Sequence, residues 1–211
     1  MPRMREEGSP DWSRLYELAE PQAGYVTIAQ TLEAGYSRPL LHYYVQKGRL
    51  ERVSRGVYRV AHFPPSEHED LVVVWLWSEQ QGVFSHETAL ALHQLSDALP
   101  HVKHLTVPDS WQRRRLRVPN ATELAYADLV AADWGWVGPV PVTTPLRTVV
   151  DCASAHVDPQ LVEQAVGDGL ERGLFSREAL RKALADAKHD DLLRLLPPTR
   201  PRSPRPSRAS K

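Results

Sequence analysis

The chain has 211 residues, 42% of them hydrophobic and 25% charged, a composition that excludes wholesale disorder and a fibrous repeat. Its longest apolar run, Leu71 to Trp77, falls far short of the roughly 20 residues a membrane-spanning helix needs. The opening residues Met1 to Glu7 lack the apolar segment of a secretory signal. The single Cys152 can form neither an internal disulfide nor a cysteine-based zinc site, so a cytoplasmic location without membrane association is expected. The net charge is zero, but only as a sum: residues 1–23 carry −2, residues 24–63 carry +4, residues 64–196 carry −7 and residues 197–211 carry +5. Such segregation suggests a local anionic partner that the total hides.

In chain order, Asp11 is placed to cap a helix containing Trp12, Leu15, Tyr16, Leu18 and Ala19, which Pro21 and Gly24 end. Thr27 caps a second helix, Ile28 to Ala34, stopped by Gly35. Ser37 caps a third, with Pro39 in its first turn and Gly48 just past its end. Two strand-like runs around Ser54-Arg55-Gly56 follow, where glycine permits a tight turn. Three helices and a basic hairpin are the parts of a winged helix-turn-helix, predicted over residues 11–63. On the third helix, 3.6-residue spacing turns Leu41, Tyr44 and Val45 inward, and Ile28, Leu32 and Val57 join them in the expected core. Arg38, His42, Tyr43, Gln46 and Lys47 are left outward. These are mostly donor types, suited to phosphates and base edges in a major groove. The hairpin adds Arg49, Arg52, Arg55 and Arg59, with Arg55 at the wing tip. The expected partner is therefore double-stranded DNA, as a promoter or operator. Because helix-turn-helix readers often occupy paired half-sites, a homodimer is the companion expectation.

Past Pro64-Pro65 the chain turns acidic and tryptophan-containing, which marks a second unit over residues 67–196. Leu71 to Gln80 reads as a buried helix, Val83-Phe84 leads to a Ser85-capped helix through Leu95, and His101 to Val107 and Arg113 to Val118 read as strands. Thr144-Pro145 opens a helix through Ala153, and two more helices span 158–172 and 176–187. The fold class is α+β. Residues 197–211, with five prolines and no apolar periodicity, read as a disordered basic tail.

The segments Thr27-Ile28-Ala29, Gly35-Tyr36-Ser37-Arg38, Gly48 to Val53 and Arg55 to Arg59 together resemble the AbiEi-type antitoxins of type IV toxin–antitoxin systems. Phe84 to Leu90 with Leu92-His93, and Val142 to Asp151, are similar to segments that follow the DNA-binding domain in related proteins. The resemblance implies a transcriptional regulator that represses its own promoter, with a C-terminal region that counters a nucleotidyltransferase-like toxin.

Catalytic and metal chemistry find little support in the residues, so a non-enzyme without metal or cofactor is expected. His86 and His93 would sit about 10 Å apart along one helix, too far to share an ion, and Leu90 stands where a zincin motif needs histidine. No acidic-x-Lys segment follows Asp109 to complete a nuclease pattern. Gly167-Asp168-Gly169 follows no strand and fails as a phosphate loop. Cys152 reads as a small buried residue, and Arg147 with Asp151 as a local salt bridge. Arg113, Arg114, Arg115 and Arg117 read as a solvated hairpin or as contacts to phosphate or an acidic partner. Two further readings stay open: a protein-interaction module that neutralises a partner without reading DNA, and a degenerate nuclease.

Overall fold

A computed structural model describes residues 10–187; the basic tail at 197–211 lies outside them. The first third of this span folds in the order α1 (Trp12–Ala19), β1 (Tyr25–Thr27), α2 (Ile28–Glu33), α3 (Arg38–Gln46), β2 (Leu50–Ser54) and β3 (Val57–Val60). In this part of the chain each expected cap is made. Asp11 accepts from the N–H groups of Ser13 and Arg14, and Ser37 accepts from Leu40. Thr27 and Gln30 form a reciprocal capping box. The strands form an antiparallel sheet in the order β1-β3-β2, so β2 and β3 are the wing and β1 joins them to the helices. Gly56 holds φ +80° at the wing turn, where a side chain would be strained. Leu15, Val26, Tyr36, Leu41, Leu50 and Val60 fill the core of this winged helix. Leu32 does not join them: it remains 42% exposed on a helix of only six residues, whose inward position is taken by Thr31.

The remainder runs α4 (Glu69–Trp77), β4 (Val83–Phe84), α5 (His86–His93), β5 (Lys103–Val107), β6 (Thr122–Tyr126), β7 (Trp134–Val137), β8 (Val140–Thr143), α6 (Pro145–Ser154), α7 (Pro159–Glu171) and α8 (Arg177–Asp186). Its five strands form a mixed sheet in the order β6-β5-β4-β8-β7, which with the helices makes the fold α+β. β4 pairs antiparallel with β5 and parallel with β8. Arg113 to Val118 is not a strand. A 3-10 turn at Asp109–Arg113 drives Trp111 into the core, and the outer partner of β5 is β6, parallel in register from Lys103 opposite Thr122. After Glu69 and Asp70 in its first turn, α4 is apolar on every side and accordingly buried, with Leu71, Val72, Val74, Trp75 and Leu76 shielded. Helices α5 to α8 enclose a separate apolar cluster around Leu90, Val149, Cys152, Leu180 and Leu184.

The winged helix and the larger sheet are not separated by solvent. Ala23, Tyr25 and Val57 belong to the same buried cluster as α4, Phe84 and Val142. Within the winged helix, Gly24 holds φ +86° and lets the Phe63 ring close over its core, where a Cβ would run into that ring. Polar links reinforce the contact. Glu69 accepts from the Tyr25 hydroxyl at 3.0 Å and from Arg59 at 3.1 Å, and Gln80 donates to Gln22 at 2.7 Å.

Candidate nucleic-acid interface

The third helix owes its shape to Ser37 and Pro39 at its start and to the aromatic seam behind it. Tyr44 stacks on Trp12 at 5.9 Å and meets Tyr36 edge-on at 5.5 Å, fixing α3 against α1. With that face spent on packing, Arg38, His42, Tyr43, Gln46 and Lys47 are all exposed. His42 and Gln46, one turn apart, share a 2.9 Å hydrogen bond, and the Lys47 ammonium lies 5.6 Å from the Tyr43 ring. Five polar or aromatic side chains thus present donors and acceptors to solvent along the outer face of α3.

The hairpin arginines divide into three roles. Arg52 and Arg55 are exposed, with no hydrogen bond or ion pair among the described residues, and Arg55 occupies the turn itself. Arg49 is exposed, yet its guanidinium covers the Tyr44 ring at 5.5 Å and the Trp12 ring at 5.9 Å, so its position is set by the aromatic seam. Arg59 faces inward. It donates to the Phe63 carbonyl at 2.9 Å and to Glu69, and it lies 5.6 Å from the Tyr25 ring. Its placement is that of a bridge between the winged helix and α4. Strand alternation could have separated it from Arg52, but its carboxylate partner lies beyond the hairpin and leaves no local signal.

The larger unit holds a denser polar group at the ends of β4 and β8. Ser85 accepts from Thr106 and shares a 2.8 Å hydrogen bond with His86, whose ring is 5.8 Å from that of His104. Burial, with the neighbouring charges of His104 and Arg147, depresses the His86 pKa to about 4. His93 donates through Nε2 to the Thr143 carbonyl at 2.7 Å. Arg147 bonds Asp151 at 2.7 Å and also reaches Asp133 at 3.2 Å, so the local pair is at the same time a link to the turn before β7. Burial, followed by the nearby Asp151, pushes the Cys152 thiol upward and away from a reactive thiolate. Among the described residues no three His, Cys, Asp or Glu side chains are grouped to hold a metal, and no helix is long and apolar enough to cross a membrane.

Residues 13–61 match a family model described as "Transcriptional regulator, AbiEi antitoxin". Over these residues the chain is similar to that family. The match spans the winged helix, including all of α3 and the hairpin, and the family is one of regulators rather than enzymes. A solved structure extends the likeness in fold: the Rv2827c protein from Mycobacterium tuberculosis is similar at a TM-score of 0.54 and 17% identity, over 87% of this chain and 76% of that one. No curated protein matches the chain.

Proposed function

We propose that this chain is a sequence-specific DNA-binding transcriptional regulator that represses its own promoter as the antitoxin of a type IV toxin–antitoxin system. In this reading α3 enters the major groove, where Arg38, His42, Tyr43, Gln46 and Lys47 meet base edges and phosphates, while Arg52 and Arg55 of the wing hold the backbone. Arg49, steadied on its aromatic seam, contributes a phosphate contact, and Arg59 acts from behind by fixing the hairpin on α4. The observation that carries the reading is the exposed outer face of α3 beside an unpaired arginine at the wing turn, within the region similar to the AbiEi family. The protein works in the cytoplasm as a homodimer on paired half-sites, and its larger unit faces a nucleotidyltransferase-like toxin. The toxin-facing part is supported by Trp136, 57% exposed and 5.4 Å from Trp75, since exposed tryptophan is an anchor type at protein interfaces.

Gel shifts with the chain's own upstream DNA across several salt concentrations test the reading. Arg38→Ala is expected to cost about 1–3 kcal/mol on the specific site and little on scrambled DNA. Arg55→Ala is expected to weaken both and to lower the salt slope by about 0.9. Unchanged binding in both variants would sink the assignment of helix and wing. If the chain instead neutralises a partner without reading DNA, co-purification with that partner survives nuclease treatment while no duplex is retarded.

A further inference from the structure

The four arginines between residues 113 and 117 lie in a unit that is acidic overall, and the fold carries them to the wing. A groove of about 640 Å³ is lined on one side by Ser54, Arg55 and Gly56 of the wing turn and on the other by Arg115, Leu116 and Arg117. The arginine segment is held in place at two points. Trp111 is buried, and Arg114 covers its ring at 4.1 Å while pairing with Glu79 at 3.4 Å. Leu116 packs against the central core. With those residues committed, Arg113, Arg115 and Arg117 remain exposed, and no hydrogen bond or ion pair engages them among the described residues. A loop anchored by tryptophan and leucine, and lifted out of the sheet, offers its cations to whatever lies alongside Arg55.

We infer that the Arg113–Arg117 loop is a second backbone-binding element that extends the wing, so that duplex DNA is gripped by both units of the chain at once. The inference rests on the DNA-binding reading above and adds to it a contact made outside the region similar to the AbiEi family. Charge complementarity selects the occupant. Arg55, Arg115 and Arg117 surround one groove whose nearest carboxylate, Glu79, is already paired, and a polyanion releases counterions on binding there. The loop carries no sequence information: its arginines meet phosphates, and the outer face of α3 reads the bases.

The experiment compares the full chain with the Arg115→Ala/Arg117→Ala and Arg115→Lys/Arg117→Lys variants, on a labelled duplex of its own upstream region and on a scrambled duplex. With two phosphate contacts gone, the alanine pair should lower the salt slope by about 1.8 on both duplexes, so that the affinity lost between about 50 and about 200 mM salt becomes roughly twelvefold smaller. The lysine pair keeps the charges and should keep the slope. Since neither side chain bonds within the fold, the alanine pair should melt with the wild type. A slope untouched by the alanine pair, while Arg55→Ala lowers it, overturns the second grip and leaves the DNA reading standing; that is also the outcome if the loop serves an acidic protein. Failure of the wild type to bind either duplex overturns both.

Discussion

At His86 two unfavourable choices coincide: a left-handed backbone, φ 51°, and burial of an imidazole beside His104 and Arg147. Ser85, expected to cap α5, leaves the helix N–H groups and bonds His86 instead, while accepting from Thr106. The sequence shows His86 and His93 too far apart on one helix to share a metal; it does not show that His86 packs against His104 from another element. The burial has a measurable sign. An unfolded imidazole titrates near about 6.5 and the folded one at about 4. Above the first value both states are neutral; between the two only the unfolded chain takes up a proton. Stability is therefore lost as pH falls through that window, at up to about 1.4 kcal/mol per pH unit, and His93, also lowered by burial, acts in the same direction. The melting temperature should drop between about pH 6.5 and about pH 4, and His86→Asn, which tolerates the left-handed backbone, should flatten the fall. Equal pH slopes in the two proteins would refute this account.

Helices were legible because their end signals are local. Asp11, Thr27, Ser37 and Thr144 all cap as their spacing predicts. For α2 the cap is decisive: six residues cannot hold a helix on propensity alone, and Gln30 completes the box while also exchanging bonds with Gln22. Thr27→Ala should cost about 1 kcal/mol by urea denaturation; no change in the urea midpoint would show the box to be dispensable. Strands were legible in the hairpin, where turn and partner adjoin, and at β5, which falls within the run His101 to Val107. The alternation at Arg113–Val118 misleads because it comes from arginines around Leu116, whereas β6 is a strand by virtue of pairing with β5. The outward face of α3 could be read from helical period, but the inward turn of Arg59 depended on Glu69, outside the hairpin.

Across the whole molecule, the change of composition at Pro64-Pro65 marks where the chain alters character, but it hides that Ala23, Tyr25 and Val57 share a core with α4. The contact was illegible because it joins faces each of which looks complete in its own segment. Glu69 is the polar node of this seam, accepting from Tyr25, Arg59 and the Ser66 N–H. Glu69→Ala leaves the Arg59 guanidinium, mostly buried, without its carboxylate and should cost roughly 2 kcal/mol, read as a shift in denaturant midpoint; a shift no larger than that of a surface alanine would mean the seam is held by apolar contact alone. The larger sheet imposes an order of another kind. Its central strand, β4, has two residues, and it waits for β8: Phe84 finds its parallel partner in Val142. During synthesis β4 and β5 therefore emerge with an open edge, and the nascent chain must travel through β6 and β7 before that edge is closed. Until then the protection of the half-made sheet falls to whatever already covers it, above all α4 with its apolar run Leu71–Trp77, which leaves the ribosome first.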